Sequence, residues 1–363
     1  MDADSDLLSL ARDLVELPSH EDATACGDHI ASWLRAETDA TVARDDAGNV
    51  VARAGSGPSL AFVGHHDVVP PDDEAQFDPA VREGRLYGRG SADMKGALAA
   101  AMCAFRDALA GEFDGELVFA SFVGEEMGGE GARHAIESGF APDYAVVGEG
   151  STGYSAPGVT DVAIAHKGRR GSVLVAEGES AHASEVDEGV NAIYRVCDAV
   201  DVVRDLDAPT AEVLGHRLRG SLAVTEIEGG EAWNVVPDRC AVTVDERTVP
   251  GERAALDSAA IEGVTWTVEQ DLPPMRCGDA DFADFVTDAA ADAQDDAPAQ
   301  VVKPHATDAG WLSDAGTTCV VCGPAEPGEA HTADESVGLD VLRRCQRIYR
   351  TAYEEWPHRA LAV

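Results

Sequence analysis

Two adjacent carboxylates, Glu125 and Glu126, stand in the run Ser-Phe-Val-Gly-Glu-Glu-Met-Gly-Gly-Glu-Gly, where an apolar strand (116–123) breaks into a glycine turn. Acids so placed repel each other unless a cation or a proton is shared between them. One can then bind a metal while its neighbour serves as a general base. A second apolar strand (59–63) ends in Gly-His-His-Asp, so that His65 and Asp67, two apart, project to one side while His66 points the other way. A metal-binding imidazole commonly has its second nitrogen held by a carboxylate, and Asp67 is placed to hold His65. Asp93, in the glycine-rich loop 84–96, falls just before a helix starting at Lys95, where a carboxylate could bridge two cations with Lys95 and Arg89 nearby to balance charge. A strand at 144–147 leads to Glu149, and a strand followed by a Gly-Pro loop leads to His331. Taken singly, each piece has an ordinary alternative: a capped loop histidine, an Asp N-cap, solvated loop acids. Taken together, two histidines and several carboxylates suit a pair of zinc-like ions about 3.5 to 4 Å apart.

These residues must be positioned by the elements before them. The first part of the chain alternates helices (7–17, 26–34, 93–109, 133–138) with strands (42–54, 59–63, 116–123, 144–147), an α/β pattern whose site belongs at the strand C-termini. From Gly171 the rhythm changes to strand 172–176, helix 189–206, strands 221–227 and 240–245, helix 253–261 and strand 265–269. That β-α-β-β-α-β order is a split βαβ unit that can bury its own sheet face. The α/β pattern then resumes with a helix (281–293), a strand (318–321) and a terminal helix (337–355). The expected organisation is a discontinuous α/β catalytic domain (1–168 and 273–363) with an inserted ferredoxin-like lid or dimerisation domain (169–272).

The 363 residues are enough for two domains. Without a stretch of roughly 18 apolar residues or a basic and apolar leader, the expectation is a cytoplasmic protein. Its formal net charge is −40 and it contains only three lysines, Lys95, Lys167 and Lys303. Such a surface repels nucleic acid and anionic membranes, and its self-repulsion asks for salt screening, as in a halophile's cytoplasm. Eight scattered cysteines give no disulfide framework, and the pair Cys319 and Cys322 lacks the second pair a zinc knuckle needs.

The runs GHHDVVP, GRLYGRGSADMKG, VGEEMGGEGA, VVGEGS, HKGRRGS, SAHAS with GVNAI, NVVPDRCAVTVDERTVP and AHTADE resemble, in order and over nearly the whole chain, the motifs of the co-catalytic zinc aminoacylase and carboxypeptidase family. That family includes succinyl-diaminopimelate desuccinylase and acetylornithine deacetylase. The resemblance implies two zinc ions, for which cobalt or manganese can substitute. His65 and Glu149 would hold one, Glu126 and His331 the other, and Asp93 would bridge them. It further implies that Asp67 orients His65 and that Glu125 takes a proton from the attacking water and passes it to the leaving amine. A cis peptide is expected between Asp93 and Met94. A homodimer through the lid domain is implied too, with His182 reaching a partner's site to polarise the scissile carbonyl. Arg170, Asn234 and Arg247 would contact substrate carboxylates.

The GRRGS and SADMKG runs look more like desuccinylases than aminoacylases, yet near Thr307 the chain reads His-Ala-Thr-Asp-Ala-Gly-Trp, lacking the arginine desuccinylases carry there. The implied reaction is removal of a succinyl or acetyl group from a small N-acyl diamino acid in lysine or arginine biosynthesis. Its rivals are a dipeptidase or carboxypeptidase of the same family and, in another class, a non-catalytic metal-binding protein. Glu125 argues against the last, since storage needs no base beside the ligand.

Overall fold

The computed structural model describes residues 3–111, 113 and 115–360. The chain divides into two compact units, Met1–Ala165 with Met275–Lys303 and Thr307–Val363, and His166–Pro274 with Pro304–Ala306. The inserted unit thus begins three residues before the expected 169 and takes in a short return at 304–306.

The first unit is built on a nine-stranded mixed sheet. At its centre the strands Gly115–Phe122, Ser59–His65, Tyr144–Val147 and Thr318–Val321 lie side by side and parallel. Parallel strands covered on both faces must be apolar throughout, and every residue of Ser59–His65 is buried. Alternation decides the faces. Ala61, Val63, Val118, Ala120, Phe122, Ala145, Val147, Cys319 and Val321 pack with Ala132 and Ala135 of the helix Glu130–Glu137 and with Ala309 and Leu312. On the other face Phe62 meets Tyr349, and Phe119 meets Phe105. Those partners come from the helices Lys95–Leu109 and Leu339–Ala360. The helix Lys95–Leu109, rich in alanine, is buried along almost its whole length. Because strands 59–65, 115–122, 144–147 and 318–321 run the same way, their C-terminal ends share one edge. No described helix is long and apolar enough to cross a membrane.

The second unit is a four-stranded antiparallel sheet in the order Ser221–Gly229, Arg239–Thr248, Gly168–Glu177, Val264–Leu272. One helix, Ala192–Asp205, covers it, capped by the Asn191 side chain accepting from the Ile193 and Tyr194 N–H groups. Leu174, Ala176, Val196, Ala199, Val242 and Val244 form its core. The strand order is that of a split βαβ unit, but the expected second helix (253–261) is only a 3-10 turn, Leu256–Ala259. Gly251 and Gly263, both in left-handed conformations, bracket the segment. The Ala254 N–H is tied to Glu246, which leaves too few residues for a nucleated α-helix. An unforeseen hairpin, Thr210–Val213 with His216–Arg219, precedes the edge strand.

Candidate metal centre

The loops at the shared sheet edge bring together five side chains. Asp93 lies in the middle. Its Oδ1 is 3.1 Å from His65 Nε2, and its Oδ2 is 3.1 Å from His331 Nε2. Glu149 Oε1 completes the first group at 3.3 Å from His65 Nε2, and Glu126 Oε1 the second at 3.0 Å from His331 Nε2. Donor atoms of His65, Asp93 and Glu126, and again of His65, Glu125 and Glu149, lie within 4.8 Å of one another. Donors held at about 2.0 to 2.2 Å from a tetrahedral ion stand roughly 3.3 to 3.6 Å apart. In the sets His65–Asp93–Glu149 and His331–Asp93–Glu126 the histidine–carboxylate separations of 3.0 to 3.3 Å are close to that spacing, and Asp93 contributes one oxygen to each set; Glu125 stands within reach of His65 and Glu149 as well.

Local packing explains why Asp93 sits there. It is followed by a cis peptide bond to Met94, and the Met94 side chain lies in a notch made by two glycines. A Cβ on Gly64 would stand 2.4 Å from Met94 Cε, and one on Gly148 would stand 2.9 Å from it. Gly64 precedes His65 and Gly148 precedes Glu149, so the residue that anchors the bridging acid is seated between the two strands that deliver the first pair of ligands. Asp93 does not cap the helix Lys95–Leu109, whose first turn receives no side-chain cap.

Asp67 does more than the orientation expected of it. His65 Nδ1 meets the Asp67 backbone carbonyl at 3.0 Å and its carboxylate only at 3.5 Å. The carboxylate instead accepts the backbone N–H groups of Glu125 and Glu126, each at 3.2 Å. One side chain thus ties the His65 strand end to the turn that carries both acids. His66 points away, bonded to Ser121 Oγ at 2.8 Å, and burial drops its pKa to about 3, so it stays neutral.

The field of the centre favours positive charge. Burial opposes ionisation of His65, but hydrogen bonds with Asp67, Asp93 and Glu149 outweigh it and raise its pKa well above the usual value. Bonds with Asp93 and Glu126 raise His331 to about 10. Burial, reinforced by Glu149, Asp308 and Glu126, raises Glu125 well above an ordinary carboxylate, the direction a general base needs.

Sequence reasoning missed three side chains around the centre, Glu335, Lys303 and Asp308, and for a fourth, Arg89, it missed the partner. Arg89 and Glu335 form a buried ion pair at 2.6 Å. Lys303, 4% exposed, has its pKa lowered by burial and sits in the field of Glu149, Asp93 and Glu125. Asp308 is buried with no hydrogen-bond partner for either oxygen among the described residues, and burial pushes it up to about 7. In a chain with three lysines, a lysine beside a Thr-Asp pair was the available signal for Lys303 and Asp308. Arg89 was expected near Asp93 as a balancing charge, whereas for its partner Glu335 only the quoted run containing it pointed there.

The remaining expected site residues all lie in the second unit. His182 is exposed; its Nδ1 accepts the Ser184 N–H at 3.2 Å and lies 2.7 Å from the Ser184 hydroxyl. In the neutral ring this makes Nε2 the protonated nitrogen, a donor. Asn234 is exposed, and its carbonyl accepts from the Ala183 N–H. Arg247 is partly exposed and paired with Asp245 at 2.8 Å. Arg170 departs from the expectation of a substrate contact. Alternation along Gly168–Glu177 puts it on the buried face with Ser172 and Leu174. There Glu246 and the Ala254 carbonyl take up its guanidinium, which lies over the Trp266 ring.

Residues 61–355 match the profile of peptidase family M20/M25/M40. The chain belongs to that family. As an M20 chain it is a hydrolase, and its likeness to individual members extends over most of its length. It is 31% identical over 343 residues to acetylornithine deacetylase of Myxococcus xanthus, covering 85% of each chain. It is 29% identical over 328 residues to succinyl-diaminopimelate desuccinylase of Alkalilimnicola ehrlichii, covering 83% of this chain and 85% of that one. Its fold superposes on aminopeptidase PepT of Bacillus cereus with a TM-score of 0.80 at 18% identity, over 97% and 98% of the two chains.

Proposed function

We propose that this M20 chain is a dinuclear metal-dependent amidohydrolase that removes an acetyl or succinyl group from an N-acylated diamino acid. The observation that carries the reading is the single carboxylate, Asp93, reaching both histidines with one oxygen each, with Glu125 next to Glu126 on the same turn. The relatives named as a deacetylase and a desuccinylase support the substrate class.

His65, Glu149 and Asp93 would hold one ion, and His331, Glu126 and Asp93 the other. Nitrogen and oxygen donors of this kind suit zinc, with cobalt or manganese as substitutes. When bound, the ions lower the pKa of water and polarise the scissile carbonyl. Glu125, half-buried and surrounded by other acids, takes a proton from the attacking water. The water oxygen bonds to the acyl carbon, the carbon–nitrogen bond breaks, and Glu125 returns the proton to the departing amine. Asp67 keeps Glu125 and Glu126 in register by receiving both of their backbone N–H groups.

The second unit takes the role of substrate and dimer contact in this reading. His182 supplies a protonated Nε2 to the developing oxyanion, and Asn234 and Arg247 face the substrate's carboxylates. The exposed edge strand Ser221–Gly229, with Val224 38% and Ile227 61% exposed, supports pairing with a second copy. The acidic surface supports a salt-rich cytoplasm and a small-molecule substrate, and not nucleic acid or a membrane.

A panel of N-acetylornithine, N-succinyl-diaminopimelate and simple dipeptides, assayed in high KCl with zinc or cobalt, tests the reading. Turnover of an N-acyl diamino acid at least tenfold above any dipeptide is expected. Faster dipeptide cleavage would make the chain a peptidase, and no turnover of any member with both ions bound would leave only a metal-binding protein.

A further inference from the structure

Arg89 and Glu335 are as deeply enclosed as His65 and more so than the other ligands around them, their side chains being 2% and 1% exposed. Burying two charges is unfavourable unless the remaining donors and acceptors are met; Arg89 Nε has no hydrogen-bond partner among the described residues, whereas both Glu335 oxygens are taken up, and the groups that take them up are informative. Glu335 gives one oxygen, Oε2, to Arg89 Nη1 at 2.6 Å. Its other oxygen, Oε1, accepts the backbone N–H groups of Ala92 and Asp93, both at 3.1 Å. The backbone of the same residue is engaged as well, since its carbonyl accepts from the Gly88 N–H at 3.1 Å.

The segment that carries Glu335 also carries His331, four residues earlier and in a left-handed conformation (φ 62°) that a non-glycine residue rarely adopts. This segment is stitched to the Asp93 side of the centre at further points. Gln76 Nε2 donates to the Thr332 and Ala333 carbonyls, and the Gln76 carbonyl accepts from the Arg89 N–H at 2.8 Å. Two loops far apart in sequence, one giving Asp93 and the other His331, are therefore joined through one carboxylate that is ion-paired with Arg89. A hydrophobic pair could fill the same volume, but it could not receive two amides and hold a backbone carboxylate carrier at a fixed angle.

We propose that Glu335, held by Arg89, is a positioning residue that fixes Asp93 against His331 and so sets the grip of the second cluster (Asp93, Glu126, His331) on its ion. The first cluster depends on this device less, because His65 ends one sheet strand and Glu149 follows another by two residues, with Met94 seated between them on Gly64 and Gly148. The inference rests on the dinuclear reading above.

The test is a zinc titration of the metal-stripped protein, read by calorimetry, together with the visible absorption of the cobalt form, for the wild type, Glu335→Ala, Glu335→Gln and Arg89→Lys. Glu335→Ala is expected to weaken the second zinc by roughly 10- to 100-fold and the first by much less. Its cobalt spectrum should change, and kcat should fall while KM stays within about threefold. Glu335→Gln, of the same shape and still able to accept the amides, should retain the second zinc better than Glu335→Ala. Should Glu335→Ala fail to fold, Glu335→Gln and Arg89→Lys decide, each with an expected loss at the second ion of several-fold. Unchanged affinity for both ions and an unchanged cobalt spectrum in the folded variants, whatever their melting temperatures, would reduce Glu335 to a structural role and overturn the proposal. A wild-type protein that binds fewer than two ions would instead overturn the dinuclear reading, so the two failures are distinct.

Discussion

Met94 lies directly over Gly64, so closely that a methyl group on Gly64 would stand 2.4 Å from the Met94 terminal carbon. The residue after the bridging acid is thereby seated on the residue before a histidine ligand. Gly64→Ala should force Met94 out of its seat, cost about 1 to 3 kcal/mol of stability as overpacking does, and displace Asp93. Denaturant unfolding together with a zinc titration checks this; wild-type zinc affinity in Gly64→Ala would show that the seat does not govern the bridge.

Glu125→Gln removes the proton acceptor and leaves every ligand of both clusters in place. Turnover should fall by about 100- to 10,000-fold, with zinc content unchanged by elemental analysis. A variant that kept full activity would move the base elsewhere, and Asp308, raised to about 7 beside the same residues, would be the next candidate.

The charge on His331 makes a pH prediction for the metal-stripped protein. Its pKa is about 10 in the fold against 6.5 for the free side chain. A raised value means that the stabilisation is fully present below about 6.5 and is lost as pH rises through about 10. Because the side chain is half exposed, solvent screening keeps the effect small. The difference in melting temperature between the stripped wild type and His331→Gln should be positive at pH 6 and shrink toward pH 10; a difference that grew with pH would contradict the assigned contacts.

A net charge of −40 should make stability depend on salt. The screening length falls from about 10 Å at 0.1 M to about 3 Å at 1 M, so repulsion among surface acids fades over that range. The melting temperature is expected to climb steadily with KCl, and a protein fully stable in salt-free buffer would refute adaptation to high salt.

Much of the centre was legible because each contributing strand announces itself. The apolar runs before Gly-His65, Gly-Glu-Glu126 and Gly-Glu149 could only be buried parallel strands, and their polar ends had to share an edge. What stayed hidden depends on distance or on face. Glu335 and Arg89 are 246 residues apart, and no local pattern pairs them. The burial of Arg170 was open to view in the alternation Arg170, Ser172, Leu174, Ala176, but its partner Glu246, 76 residues away, was not, since no local pattern pairs them. The expected helix at 253–261 failed for a local reason: glycines at 251 and 263 and a tether at Ala254 leave room for one tight turn only.

The most direct measurement is the number of zinc ions bound per chain in the wild type, His331→Ala and Glu149→Ala, by elemental analysis after dialysis against trace zinc. With Asp93 shared between two clusters, the count should be two for the wild type and one for each variant. A wild type holding a single ion, or a His331→Ala protein that still holds two, would contradict the dinuclear centre.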